Sequence, residues 1–194
     1  YVRIELPGRK RVLSLAEVRV YSGDKNVAAR GKASQSSTAS GGVAARALHR
    51  AELACNEGRW QWDMAAMAKA TTAATGLFLL CHPHNPVGRV WNPDELQVFA
   101  DLAAAHDIVV VSDEIHADLV FHPLVFRSFA TLGTETAGRT VTITSASKSF
   151  NVAGLRCALM HFGSDALLTR FRENVKGDLL GTPSVPGMLA TTVA

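Results

Sequence analysis

Two continuous apolar runs separated by one capped amphipathic segment constrain the fold of this chain more than any other feature. Gly76-Leu77-Phe78-Leu79-Leu80-Cys81 and Ile108-Val109-Val110-Val111 hold no charged or amide residue. Runs this short, bounded by turn signals and apolar at every position, predict strands buried on both faces of a parallel sheet. Between them Asn92 is placed to cap a helix, with Pro93 at its first position and Glu95 three after the cap. That is a capping-box arrangement. Leu96, Phe99, Ala100 and Ala103 form the helix's apolar stripe, which ends near His106. Strand, helix, strand in this order predicts an α/β sheet. Thr140 to Thr144 continues it as a third strand and Leu155 to Phe162 as a fourth, and Ser164 caps a helix to about Val175. Upstream, Asp63 is an N-cap for a helix over Met64 to Ala70.

In sheets of this kind ligands sit at the carboxyl ends of the strands. Asn85, Asp113 and Lys148 each lie just past such an end, so one site can collect them. Lys148 stands in Thr144-Ser145-Ala146-Ser147-Lys148-Ser149-Phe150-Asn151, after two serines spaced one apart. Serine hydroxyls and turn amides can hold an anion. Arg156, eight residues on, adds a permanent cation able to fork onto phosphate oxygens. Asp113 ends a very apolar run, where a carboxylate is costly unless paired. His116 follows on the same loop. A lysine beside a phosphate cradle is the layout a pyridoxal-phosphate enzyme needs: the amine forms the Schiff base, and hydroxyls and guanidinium hold the cofactor's tail. Taken singly, each residue has a plainer reading: a surface lysine, a strand-end acid, a Pro-Gly turn, a solvent-facing histidine. His82, His84, Asp113 and His116 also carry ligand types that suit zinc.

The 194 residues are 47% hydrophobic, enough to bury a core. No apolar run approaches membrane-spanning length and no signal-peptide pattern opens the chain, so a soluble, cytoplasmic protein without membrane contact is expected. Cys55, Cys81 and Cys157 are widely spaced, which predicts reduced, buried thiols. The net charge of +3 hides an asymmetry: residues 1–50 carry ten Lys and Arg against three acids, and the remainder ten against fourteen. Such a break can mark a nucleic-acid arm. Here the basic residues are scattered through a β-like pattern, so two segments of different origin are expected, with no nucleic-acid partner.

The first of those segments alternates as Val2, Ile4, Leu6, then reads as strands over Val12 to Tyr21 and Asn26 to Ala29, with a Ser22-Gly23-Asp24 turn between and a loop over Lys32 to Gly42. Arg3-Ile4-Glu5-Leu6-Pro7-Gly8, Leu13-Ser14-Leu15-Ala16-Glu17-Val18 and Gly31-Lys32-Ala33-Ser34-Gln35-Ser36-Ser37-Thr38 resemble the discoidin-type, galactose-binding-like β-sandwich family. The pattern stops before His49, so residues 1–48 are expected to form a partial β segment. The resemblance implies sugar or surface binding, which sets a non-catalytic binding module beside the enzyme reading.

The second segment carries three ordered motifs: Pro83-His84-Asn85-Pro86-Val87-Gly88-Arg89-Val90-Trp91, Ser112-Asp113-Glu114-Ile115-His116-Ala117-Asp118, and Ser145-Ala146-Ser147-Lys148-Ser149-Phe150-Asn151-Val152-Ala153-Gly154-Leu155-Arg156. They resemble the class I/II aminotransferase superfamily of fold-type I pyridoxal-phosphate enzymes, and within it the cystathionine β-lyase (C–S lyase) branch. The resemblance implies that residues 49–194 are part of that fold's large domain, with a mostly parallel sheet. It implies pyridoxal 5′-phosphate as cofactor, Lys148 as its covalent anchor and the base for the substrate's α-proton, and Asp113 on the pyridine nitrogen. Asn85 and His116 would meet the ring oxygen, and Ser145, Ser147 and Arg156 the phosphate. The implied reaction cleaves an S-substituted cysteine such as cystathionine to pyruvate, ammonia and a thiol, in a homodimer. Transamination needs the same lysine and aspartate, so an aminotransferase stands as the alternative. The family has an aromatic that stacks on the ring, and neither Trp60 nor Trp62 stands in a context that matches it. No matching glycine-containing phosphate loop precedes Asn85.

Overall fold

The capped stripe between the two apolar runs folds as the sequence predicts. A computed structural model of the chain describes residues 21–22, 25–26, 51–175 and 181–194. The chain divides into two units, Tyr1–Leu48 and His49–Ala194. In the first, β1 (Tyr21–Ser22) pairs antiparallel with β2 (Lys25–Asn26), on either side of the expected turn. The strand expected over Val2 to Leu6, most of the one over Val12 to Tyr21 and the Lys32 to Gly42 loop lie outside the described residues.

The second unit opens with a hairpin that sequence patterning missed, β3 (Leu53–Asn56) against β4 (Arg59–Trp62). Its two turn residues, Glu57 and Gly58, have φ of 51° and 78°. Two positive φ values match the right-handed twist of the flanking strands. Asp63 then caps α1 (Met64–Ala70) by accepting the Ala66 amide. The hairpin is held from the far side of the unit. Trp62 stacks on Trp91 with ring centroids 4.0 Å apart, and Arg89 lies 4.6 Å over the Trp91 ring while donating to the Trp60 carbonyl at 2.7 Å. Arg89 also pairs with Glu95, whose carboxylate closes the capping box with Asn92 at the start of α2 (Pro93–Ala105).

The main sheet has the order β5 (Leu77–Cys81), β6 (Val109–Asp113), β7 (Thr140–Thr144), β8 (Leu159–Phe162). The first three strands are parallel and β8 is antiparallel. Register places Cys81 opposite Asp113 and Asp113 opposite Ile143. On one face Phe78, Leu80 and Val110 meet Leu96, Phe99, Ala100 and Ala103 of α2, with Ile108, Trp91 and Phe129 completing the core. All four stripe residues are buried.

The expectation of burial on both faces needs correction. Leu77 and Leu79, which alternation puts on the other face, are 49% and 67% exposed. On that face α5 (Asp165–Asn174) reaches β8 through Phe171 and Phe162, 5.1 Å apart, and leaves the β5 side open. The fourth strand is also shorter than expected. Ala153–Leu155 forms a 3-10 turn and Arg156 adopts a left-handed conformation (φ 49°). The carbonyls of Leu155 and Cys157 take hydroxyl protons from Ser184 and Ser145, so they are not free for a ladder. Ser184 caps α6 (Val185–Val193). Short elements complete the unit: α3 (Thr134–Gly138), α4 (Ala146–Ser149) and 3-10 turns at Ala117–Leu119 and Phe129–Leu132. All three cysteines are free thiols, but the expected burial fails. Cys55 is exposed on the hairpin, and Cys81 and Cys157 are half-buried. No helix among the described residues is long and apolar enough to cross a membrane.

Candidate active site at the carboxyl edge of the sheet

Parallel pairing of β5, β6 and β7 brings three loops to one edge. Asn85 lies in the loop after β5, Asp113 ends β6, and Lys148 sits in α4 just after β7. Because β8 runs back with Leu159 opposite Thr144, the segment before it, with Arg156, returns to the same edge. His116, Ser145 and Ser147 lie on the same loops. Strand order and register thus bring to one edge the seven residues read as candidate cofactor contacts.

The loop after β5 is closed by backbone bonds from the His84 amide to the Arg89 carbonyl (2.7 Å) and from the Gly88 amide to the His84 carbonyl (2.8 Å). Gly88 has φ of +66°, a conformation that suits glycine. Asn85 is exposed at the tip. Its amide donates to the Cys81 sulfur, and the thiol donates to the Pro83 carbonyl, each at 3.4 Å. Burial pushes the Cys81 thiol up, the Asn85 amide pulls it back, and the Asp113 carboxylate raises it further. That coupling agrees with the register, which sets Cys81 and Asp113 side by side on one face.

Asp113 is half-buried and accepts the Ile115 amide at 3.3 Å. Glu114, next in the chain, points to the opposite face by strand alternation. It is 4% exposed and accepts from the Ser112 hydroxyl at 2.8 Å and the Phe129 amide at 3.0 Å. Burial pushes its carboxyl up, and these bonds with one from Ser128 pull it down. Sequence reading passed over Glu114. The signal was the spacing Ser112-x-Glu114, which places both polar groups on the core face. His82 was also misread as a metal-ligand type. It is fully buried and stacks on Phe126 with ring centroids 4.9 Å apart; its Nε2 donates to the Arg127 carbonyl at 3.0 Å. Burial pushes both His82 and His84 down. Among the described residues no group of three His, Cys, Asp or Glu is arranged to hold a metal, so the zinc set of His82, His84, Asp113 and His116 is not assembled.

His116 is half-buried, and its Nδ1 is buried without a hydrogen-bond partner among the described residues. The Nδ1 atoms of His82 and His84 are in the same state; that of His116 differs in lying on the loop after β6, at the carboxyl edge of the sheet. Ser145 caps α4, accepts the Ser147 amide at 3.1 Å and donates to the Cys157 carbonyl at 2.6 Å. A hydroxyl has one proton to give, so in the contact between the Ser145 and Ser147 hydroxyls Ser147 is the donor. Both hydroxyl protons are therefore engaged within the turn. Lys148 and Arg156 are exposed, and neither makes an ion pair among the described residues. The edge thus presents two cations, a carboxylate and an unpartnered imidazole nitrogen. Such a set suits a group with an anionic tail and a ring bearing both a protonated nitrogen and an oxygen. Trp62, in contrast, is committed to Trp91 and Phe99 and does not serve as a stacking face here.

Residues 39–193 match the family aminotransferase class I and II, a match that begins inside the segment read as β-sandwich-like. The chain is 35% identical over 113 residues to cystathionine beta-lyase PatB of Bacillus subtilis, covering 58% of this chain and 29% of PatB. Over 125 residues it is 34% identical to kynurenine–oxoglutarate transaminase 1 of Rattus norvegicus, covering 64% of this chain and 29% of the relative. The fold matches the crystal structure of cystalysin from Treponema denticola, which contains a pyridoxal 5′-phosphate cofactor. The TM-score is 0.69 with 32% identity, covering 74% of this chain and 36% of cystalysin. The chain thus spans about a third of the length of the proteins it matches.

Proposed function

We propose that this chain, which belongs to the aminotransferase class I and II family, carries the cofactor-holding core of a pyridoxal-phosphate-dependent carbon–sulfur β-lyase. One observation carries the reading: Asn85, Asp113 and Lys148 stand at or just past the carboxyl ends of three adjacent parallel strands, with Lys148 and Arg156 free of ion-pair partners among the described residues. The residues fit the cofactor. The unpartnered Nδ1 of His116 would meet a ring oxygen, and the side-chain amide of the exposed Asn85 would give a second contact. Arg156 and the α4 turn with Ser145 and Ser147 suit the phosphate. The serine hydroxyls turn from their present acceptors to do so.

Pyridoxal phosphate, when bound, supplies a ring that withdraws electrons from the α-carbon of an amino acid. The chain's own part is positional and acid–base. Asp113 keeps a proton on the ring nitrogen, since a carboxylate at the end of an apolar strand favours a cationic partner. Lys148 anchors the cofactor and moves the substrate's α-proton with its Nζ. The substrate class is an S-substituted cysteine such as cystathionine, and the products are pyruvate, ammonia and a thiol. A soluble homodimer in the cytoplasm, binding neither nucleic acid nor membrane, completes the proposal; the three free thiols suit that compartment. An aminotransferase is the second reading, favoured by the likeness to the rat transaminase. Pyruvate with ammonia, against a keto acid with aminated cofactor, separates the two.

The test is the visible spectrum of the chain with added pyridoxal phosphate, before and after borohydride, beside Lys148→Ala. A band that borohydride removes in the wild type and that the variant lacks supports the reading. Identical spectra overturn it.

A further inference from the structure

We infer that Asp118 is a positioning residue for Lys148, acting through a hydrogen bond to Ser149 that ties the lysine turn to the Asp113–His116 loop. The inference rests on the reading of Lys148 proposed above. The bond joins residues 31 apart in sequence: the Ser149 hydroxyl donates to Asp118 Oδ2 at 2.8 Å. Asp118 lies in the 3-10 turn Ala117–Leu119, directly after His116, and Ser149 directly follows Lys148.

The need for such a tie comes from the size of α4. It is four residues long, about one turn, too short to sustain itself because helix nucleation is unfavourable until further turns are added. Its internal bonds are few, chiefly the Phe150 amide to the Ala146 carbonyl at 3.0 Å and the Val152 amide to the Ser147 carbonyl at 3.0 Å. External groups therefore fix its orientation. At its start Ser145 caps it and reaches the Cys157 carbonyl. At its end Ser149 reaches Asp118. The first tie looks toward β8. The second runs to the loop that carries Asp113 and His116, so it sets where the lysine amine stands relative to the groups proposed to grip the cofactor ring. The bond is charge-assisted, which makes it the stronger kind of hydrogen bond. A serine after the lysine and an aspartate five after Asp113 give no sequence signal of their own, since both read as ordinary loop polar residues.

The experiment uses the full chain and four variants: Asp118→Ala, Ser149→Ala, both together, and Asp118→Asn, which keeps an oxygen acceptor. The first readout needs no cofactor: amide hydrogen exchange of Phe150 and Val152. Each alanine variant should speed exchange at both amides by roughly tenfold, the double variant no more than either single one, and Asp118→Asn, an acceptor without the charge, should fall between wild type and the alanine variants. The second readout is the dissociation constant of pyridoxal phosphate, expected to rise by roughly five- to tenfold in the alanine variants and to recover in part in Asp118→Asn. Unchanged exchange in both alanine variants, or effects that simply add in the double variant, overturns the inference. Altered exchange with unchanged cofactor affinity overturns it too, leaving the bond as local structure. A wild-type chain that takes up no pyridoxal phosphate sinks the proposed function instead, and the exchange readout then decides the tie alone.

Discussion

The two sides of the second unit are built by different means. Around α2 the chain is held by area: four stripe residues, Leu80, Val110 and a run of aromatic rings, with Phe99 within 5.2 Å of both Trp62 and Phe78 and 5.7 Å of Phe129. At the carboxyl edge it is held by single hydrogen bonds: Ser145 to Cys157, Ser149 to Asp118, Glu114 to Phe129, His82 to Arg127. Area is forgiving of small shifts and strong in total. Single bonds are weaker and directional. A site that must aim an amine at a ring needs the second kind, supported by the first.

The contrast can be broken most sharply at Phe99. Phe99→Ala removes a ring that bridges α2, β5 and the hairpin, and should cost about 3–5 kcal/mol in urea unfolding, a large part of a domain's stability. Glu114→Ala probes the single bonds, on the core side of the edge. It strips the acceptor from the Phe129 amide and the Ser112 hydroxyl, and should cost about 1–3 kcal/mol by the same measurement. If it costs as much as Phe99→Ala, the division into area and single bonds fails.

Acidity sharpens the comparison, because the buried polar groups titrate. Burial lowers His82 and His84 in the folded chain, so their contribution is full above about pH 6.5 and is lost as pH falls through the folded values. Glu114 is raised, so its contribution is present below the ordinary carboxylate range and lost as pH rises through its folded value. Unfolding midpoints measured across this range should show His82→Gln losing less than wild type on acidification. Glu114→Gln should gain on wild type as pH rises. A difference between Glu114→Gln and wild type that stays constant with pH would mean that burial of the charge is not what Glu114 contributes. The smallest effect belongs to Lys148→Ala. The side chain is exposed and unpaired among the described residues, so stability should change by no more than about 0.5 kcal/mol while the cofactor band disappears.

Much of this was legible in the residues, for local reasons. The capping box at Asn92 and the stripe of Leu96, Phe99, Ala100 and Ala103 depend on neighbours in sequence, and they appear as expected. The edge placement of Asn85, Asp113 and Lys148 followed from strand order alone. What escaped depends on partners far along the chain. The β3–β4 hairpin lacks a strong apolar alternation on β3 and is held by Arg89 and Trp91 from beyond β5. The exposure of Leu77 and Leu79 is invisible in a run that is apolar at every position. The early part of the Leu155 to Phe162 segment alternates well, yet its carbonyls go to serines 12 and 29 residues away. Cys55 was expected inside by residue type and lies outside because it sits on that hairpin.

Asp113 and Glu114 are adjacent, chemically alike and used in opposite ways, one at the site and one in the core. Only the parity of β6 tells them apart. Slipping that strand by one residue would exchange their surroundings without altering a single side chain. The bonds just past the strand, from the His82 amide to the Asp113 carbonyl at 2.9 Å and from the Glu114 amide to the Ile143 carbonyl at 2.8 Å, hold the count. The segment from Val109 to Glu114 is therefore fixed in length. The exposed stretch from Phe121 to Val125 can gain or lose residues at little cost. Insertions and deletions across variants of this chain should respect that boundary even where the residues themselves have changed.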